Sequence, residues 1–380
     1  MHVGMVARHF SLKSVGAVQR CVYELARRLK REGEKCTIYT NGAEQESYTV
    51  DGIDVVELSS SHFSEQAAKM TEDVDVCHFH GSTAGCVQFL RHSQRKPVLT
   101  IYDVQPRLGE LLNLRPSHLL EGRILNVPSY WLLAAPKRWL AAFFASHASA
   151  ITGTDLSWLS TSLPFVDVGM GVDMKAHSFV EAARRDVRER LEIAPEQKVV
   201  LYLGHGYLIR GLYVLIRAHA ALSQQEEDAV LVLVLNPYEL NERVCTLAMR
   251  TLPERNLRII RQFVPDVAAH YAAADVVALP YLYSGELPTY PFVMLEAMAC
   301  GKPVLTTPVG AIPRLIDGTN GVLVKPASAA ELKGAAERVL GDEKMAERMG
   351  KRARQSVEQF DWERAHARFH EIYEGVMVSG

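Results

Sequence analysis

KVVLYLGHGYLIRGLYVLIRAHAALSQ, residues 198–224, sets the architecture of the whole chain. Its opening run, 198–203, is short, apolar and rich in Val and Leu, as in a strand buried on both faces. Gly204 and Gly206 break it into a turn, and 210–224 then reads as a helix. The same order occurs on either side. HVGMVA (2–7) is a buried-strand run, followed by a loop and a helix in which Val18, Val22, Leu25 and Leu29 recur every three or four residues. Arg27, Arg28 and Arg31 lie off that stripe, so the helix is amphipathic, and Gly33 is a natural stop. Further strands are predicted at 35–40, 73–81, 97–103 and 149–155, then at 229–236, 257–263, 275–281, 303–309 and 321–326. Strands alternating with helices imply parallel, right-handed crossovers and doubly wound sheets. The order restarts after a Gly-rich polar stretch at 166–179. An α/β chain of two Rossmann-like units is therefore expected, 1–170 and 171–358. A last helix at 359–380 has Trp362, Phe369 and Tyr373 as its larger apolar members.

Composition agrees with two domains. The chain has 380 residues, too many for one ordinary core. A net charge of −2 gives no electrostatic reason to bind nucleic acid. The six Cys fall mostly in apolar segments and form no Cys-x-x-Cys, which reads as buried thiols in a reducing compartment. The N-terminus has no basic n-region and long apolar run, so a cytoplasmic location is expected. His366 and His370 have metal-ligand spacing but no obvious third ligand, so no metal is expected.

Two such sheets facing one another leave a central cleft, and open α/β sheets bind ligands beyond the carboxyl ends of their strands. The loops 8–17, 81–85 with 103–106, 204–210 and 282–291 are the candidates. In GHGYLIRG (204–211), Gly204 and Gly206 let backbone amides approach a ligand, and a helix N-terminus attracts anions. His205 adds a donor and Arg210 a permanent bidentate cation. That set suits a diphosphate, and equally a plain strand-to-helix turn with a solvated Arg. In PTYPFVMLEAMACGKPVLTTPVG (288–310), Pro291 suits the first turn of a helix, with Phe292, Leu295 and Met298 facing the core. Glu296 stands one turn beyond Phe292. A buried carboxylate needs partners. Either a ribose diol or a structural group serves, and the amides at Tyr290, Pro291 and Phe292 are placed to take a phosphate.

These residues resemble the large retaining glycosyltransferase family numbered four, glycosyl transferases group 1, of the GT-B fold. VGAVQRCVYELARRLKREGEKCTIYT, DVCHFHG, PVLTIYD, VGMGVD (168–173) and YLGHGYLIRGLYVLIRA each look like one of its segments. LEAMACGKPVLTTPVGAIPRLIDGTNGVLVKP (295–326) is the strongest likeness. FDWERA resembles its final helix, which in that fold returns to the N-terminal domain. The resemblance implies transfer of a sugar from a nucleotide-diphosphate sugar to an acceptor hydroxyl, on a glycan, glycolipid or small molecule, with retained anomeric configuration. It places the diphosphate on His205, usually Arg, and Arg210, usually Lys, and the ribose diol on Glu296. It brings Gly16 to the donor phosphate or sugar. No metal and no separate cofactor is implied.

Two departures stand out. The family's first Glu, eight positions before Glu296, is here Pro288. The nearest preceding carboxylate is Glu286, which either bulges inward to a sugar hydroxyl or lies on the surface. Tyr102 stands where many members carry a His at the reacting centre, and His80 is its neighbour by strand order. The expected catalytic set is thus Arg210, Glu286 and Tyr102. Rival readings are an epimerase or phosphorylase of the same fold, and a non-catalytic nucleotide-sugar-binding protein. Finally, YWLLAAPKRWLAAFFA (130–145) is too broken to span a bilayer. It suits ordinary packing on a sheet, or peripheral contact with the inner membrane surface near a lipid-linked acceptor.

Overall fold

A computed structural model of the chain describes residues 1–8, 10, 17–102, 113, 137–152, 165–166, 171–236, 241–262, 264–284 and 287–379. The described residues of 1–104, 126–171 and 362–380 pack as one unit, and those of 105–125 and 172–361 as another. Each is built on its own sheet.

The first unit holds β1 (His2–Ala7), β2 (Lys35–Gly42), β3 (Ser47–Val50), β4 (Ile53–Ser59), β5 (Val76–Gly81), β6 (Val98–Ile101), β7 (Ala150–Thr152) and β8 (Phe165–Val166). Their order is β3-β4-β2-β1-β5-β6-β7-β8. All described neighbours are parallel except β3 and β4, an antiparallel hairpin in which Val50 pairs with Ile53. Asp51 and Gly52 close it with φ of 49° and 74°. Two left-handed residues in a two-residue loop match the strand twist, and Asp-Gly is their preferred sequence. The alternating Val and Ile after Asp-Gly carried that hairpin in plain sight, yet the residue patterns singled out above did not include it. The helix Trp362–Ser379 packs in this unit: Trp362, Phe369 and Tyr373 are buried, and the Tyr373 hydroxyl lies 2.7 Å from His78 Nδ1 of β5.

The second unit holds β9 (Lys198–Gly204), β10 (Ala229–Leu235), β11 (Leu257–Ile260), β12 (Val276–Leu279), β13 (Val304–Thr306) and β14 (Gly321–Leu323). Their order is β11-β10-β9-β12-β13-β14, all parallel. β10 is AVLVLVL with every residue buried, as a central parallel strand requires. Asp275, just before β12, ties the base of this unit together. It accepts hydrogen bonds from Val199 N at 2.7 Å, Arg184 Nη2 at 2.8 Å and Arg188 Nη2 at 2.9 Å. Observed strands are mostly shorter than predicted, because residues past the last ladder pair turn away as loops. Those loops form the sites.

Candidate active site

In both sheets the strand order reverses beside the first strand of the unit. In the second unit this happens between β9 and β12, the place where doubly wound sheets bind ligands. Gly204 ends β9, and a 3-10 turn, Leu208–Arg210, precedes the helix Leu212–Leu222. Gly211 caps that helix with φ 79°. A side chain there would be strained, and its Cβ would overlap the Pro280 carbonyl oxygen. The glycine therefore lets the loop after β9 lie directly against the loop after β12. Leu282 N donates to Ile209 O at 3.2 Å across that contact. The Arg210 guanidinium sits 5.7 Å over the Tyr281 ring, a cation–π arrangement that aims it at the switch point. His205 is stacked on Tyr207 at 5.4 Å, and its carbonyl accepts from the Tyr202 hydroxyl at 2.8 Å. Both predicted diphosphate residues thus belong to one braced loop.

Glu296 lies on the helix Phe292–Ala299. Pro291 is the cap rather than the first helical residue: its ψ of 132° is extended, and Met294 N and Leu295 N already donate to its carbonyl. Proline also has no N–H, so of the three predicted phosphate amides only Tyr290 and Phe292 have one to offer. The helix is not one-sided. Met294 to Ala299 are all buried, Glu296 among them at 2% exposure. What holds it comes from elsewhere in the unit. The Tyr271 hydroxyl donates to Glu296 Oε2 at 3.0 Å, and His177 Nε2 stands 3.6 Å from Oε1. Sequence reasoning missed both partners. Tyr271 reads as a core aromatic, and His177 lies near the start of the second unit's main segment, 119 positions upstream (296 − 177).

The Gly-Lys-Pro after that helix has a different job. Lys302 is 7% exposed and donates to Ala272 O at 3.0 Å and Ala274 O at 2.8 Å. Burial pulls its pKa down to about 8. It satisfies the C-terminal carbonyls of the helix Val267–Ala273, at the end of the sheet away from Arg210.

In the first unit Tyr102 follows β6, and its hydroxyl lies 2.9 Å from His80 Nδ1. Burial pushes the Tyr102 phenol well above its usual range and holds His80 down to about 3, so both stay neutral. His78 is satisfied on both nitrogens, by Tyr373 and by Thr100 Oγ1 at 2.6 Å, and is a core histidine. Gly16 and Glu286 lie outside the described residues. His366 and His370 face Glu32 at 2.8 Å and Glu374 at 3.5 Å separately. Among the described residues no three His, Cys, Asp or Glu side chains gather as metal ligands.

The family model of Glycosyl transferases group 1 matches residues 183–356, almost the whole of the second unit. Over that stretch the chain is similar to glycosyl transferases group 1. A D-inositol 3-phosphate glycosyltransferase of Corynebacterium aurimucosum is 32% identical over 197 residues, 50% of this chain and 46% of that protein. The chain spans about half the length of the curated relatives it matches. Sucrose-phosphate synthase from Thermosynechococcus elongatus superposes with a TM-score of 0.77 at 18% identity, over 100% of both chains. Anabaena HepE in complex with UDP and glucose superposes with a TM-score of 0.73 at 16% identity, over 98% of this chain and 99% of that one. At such identities these likenesses establish the fold, GT-B.

Of the aromatic stretch 130–145, the described part is the start of the helix Lys137–His147. Leu140, Ala141 and Phe144 are buried in the core, while Trp139 is 49% exposed and stacks on Phe143 at 5.3 Å. Among the described residues no helix is long and apolar enough to cross a membrane.

Proposed function

We propose that this chain transfers a sugar from a nucleoside-diphosphate sugar to an acceptor hydroxyl, with retention at the anomeric carbon. The observation that carries the reading is the braced cation at the switch point. Arg210 is held over Tyr281, at the end of β9 and the start of the helix Leu212–Leu222. A guanidinium and a helix N-terminus together suit a leaving diphosphate. The glycosyltransferase names of the relatives and the UDP and glucose held by HepE support the same donor class.

In this reading the diphosphate oxygen leaves on the face where the acceptor hydroxyl attacks and takes up its proton. The C–O bond to the diphosphate breaks as the bond to the acceptor forms on that face. Arg210, His205 and the amides at Tyr290 and Phe292 carry the growing charge, so the transfer needs no metal and no cofactor. Glu296 accepts hydrogen bonds from the ribose diol, its carboxylate oriented by Tyr271. Tyr102, locked by His80, presents a neutral hydroxyl to the reacting sugar. Glu286 contacts a sugar hydroxyl, and Gly16 admits the donor close to the backbone. The protein works in the cytoplasm, and Trp139 with its neighbours touches the inner membrane surface peripherally.

The test begins with a thermal-shift screen of nucleoside diphosphates and their sugars, since a ligand of the folded state raises stability. The donor found is then used with candidate acceptors, following nucleoside diphosphate release and acceptor mass. Arg210→Ala is expected to lower kcat/KM about 10²- to 10³-fold, as for loss of an oxyanion donor. Unchanged kcat/KM would refute the role of Arg210. Donor isomerisation without an acceptor mass shift would replace transfer by epimerisation.

A further inference from the structure

We propose that His177 is a second ribose-binding residue of the donor site, with its Nε2 and Glu296 Oε1 each accepting one hydroxyl hydrogen of the ribose diol. This rests on the nucleotide-sugar reading of Glu296 and adds to it the group that faces the carboxylate.

Both residues lie in the second unit. His177 stands on the segment that follows the bridge between Val172 and Asp361. Asp173 winds that segment into a turn. Its Oδ1 accepts from Lys175 N at 3.0 Å and Ala176 N at 2.9 Å, and its carbonyl accepts from His177 N at 2.9 Å. Arg354 then fastens the turn to the helix of Glu296. It donates to His177 O at 2.8 Å and Met174 O at 3.0 Å, and also to the carbonyl of Ala299, the last residue of the helix Phe292–Ala299. His177 is thus held beside Glu296 through its backbone, and its ring is spared for other work.

The neighbours of the ring fix its tautomer. Nδ1 lies 3.1 Å from Asp173 O. A carbonyl oxygen only accepts, so Nδ1 carries the hydrogen, and Nε2 of the neutral imidazole presents a lone pair. Nε2 stands 3.6 Å from Glu296 Oε1, too far for a hydrogen bond. His177 is 5% exposed, and Nε2 has no hydrogen-bond partner among the described residues. A buried acceptor in that state costs stability until a donor meets it. Tyr271 holds Glu296 Oε2 at 3.0 Å, which turns Oε1 toward His177. Two acceptors, one charged and one neutral, therefore face the same space. They call for a ligand with two donors on adjacent atoms. An ionised phosphate brings none, and a lone hydroxyl serves one acceptor at a time. A vicinal diol brings two, and its oxygens are close enough for each to reach one acceptor at normal distance. A divalent cation would find no third His, Cys, Asp or Glu ligand here among the described residues.

The test is calorimetric titration of the full chain with UDP, 2′-deoxy-UDP and 3′-deoxy-UDP, and with the matching sets of ADP and GDP. With the base it takes, the parent is expected to bind the complete ribose about ten-fold more tightly than either deoxy analogue. His177→Asn keeps a donor for Asp173 O but is too short to reach the ribose. It is expected to weaken the ribonucleotide about ten-fold and to bind one deoxy analogue as tightly as the parent does. That analogue names the hydroxyl that His177 reads. His177→Gln, whose amide oxygen extends further and accepts, is expected to recover part of the discrimination, which a residue that only packs would not do. Equal weakening of all three ligands by His177→Asn, or discrimination as strong as in the parent, overturns the proposal. If Glu296→Gln alone then loses the discrimination, the ribose reading of Glu296 survives without His177. A parent that binds all three ligands alike, or none of them, sinks both readings together.

Discussion

Acidification should unfold the first unit through the neutral histidine that lines a cavity in it. His80 is fully buried, and burial alone lowers its pKa from 6.5 to about 3. A group whose folded pKa lies below its unfolded value binds its proton mainly in the unfolded chain. Its contribution is therefore complete above the unfolded pKa and is lost as pH falls from 6.5 toward 3. At about 1.4 kcal/mol per pH unit, moving from about pH 7.5 to about pH 4.5 costs roughly 3 kcal/mol from this residue. His78, likewise shifted well down by burial, acts in the same direction. Trp139 and Trp362 belong to the first unit and the sequence has no Trp between 172 and 361, so urea unfolding followed by tryptophan fluorescence reports on the first unit. His80→Gln keeps a polar side chain but does not titrate. It should lose about 1 kcal/mol near neutrality, from the hydrogen bond to Tyr102. Its stability should then fall less steeply than that of the parent, by about 1.4 kcal/mol per unit around pH 5. Equal slopes for parent and variant would show that His80 is protonated in the folded state, and the reasoning from burial would fail.

Three further outcomes are expected. Glu296→Gln keeps the Tyr271 contact but weakens a charge-assisted bond to the ribose, so donor KM should rise on the order of ten-fold with folding intact; unchanged donor KM and Kd would return Glu296 to a purely structural role. Gly211→Ala, which overlaps the Pro280 carbonyl and strains φ 79°, should lower unit stability by about 1–3 kcal/mol and displace Arg210, read as weaker nucleoside diphosphate binding by calorimetry. Asp275→Ala leaves the nearly buried Arg188 without its carboxylate and removes the acceptor of Val199 N, so the second unit should lose about 2–4 kcal/mol, measured by hydrogen exchange in β9 and β12.

The α/β alternation, the two-unit plan and the GT-B fold were legible in the residues because buried parallel strands are unbroken apolar runs and the glycine turns between strand and helix are local. Positions 204–211 and 295–326 show this: each packs against its immediate neighbours, and its constraint is written within a few residues. The shared loop of His205 and Arg210 was legible for the same reason. What tertiary structure alone decided is which distant groups meet. Glu296 is oriented by Tyr271 and faces His177, Tyr102 is locked by His80, and Lys302 closes a helix end rather than serving the donor loops. The cavity of Arg8 and His80 exists only because β1 and β5 are neighbours while 69 positions separate the end of β1 at Ala7 from the start of β5 at Val76 (76 − 7). No periodicity or spacing along the chain encodes such a pairing. It follows from strand order, which the sheet settles when all of its apolar strands bury one another at once.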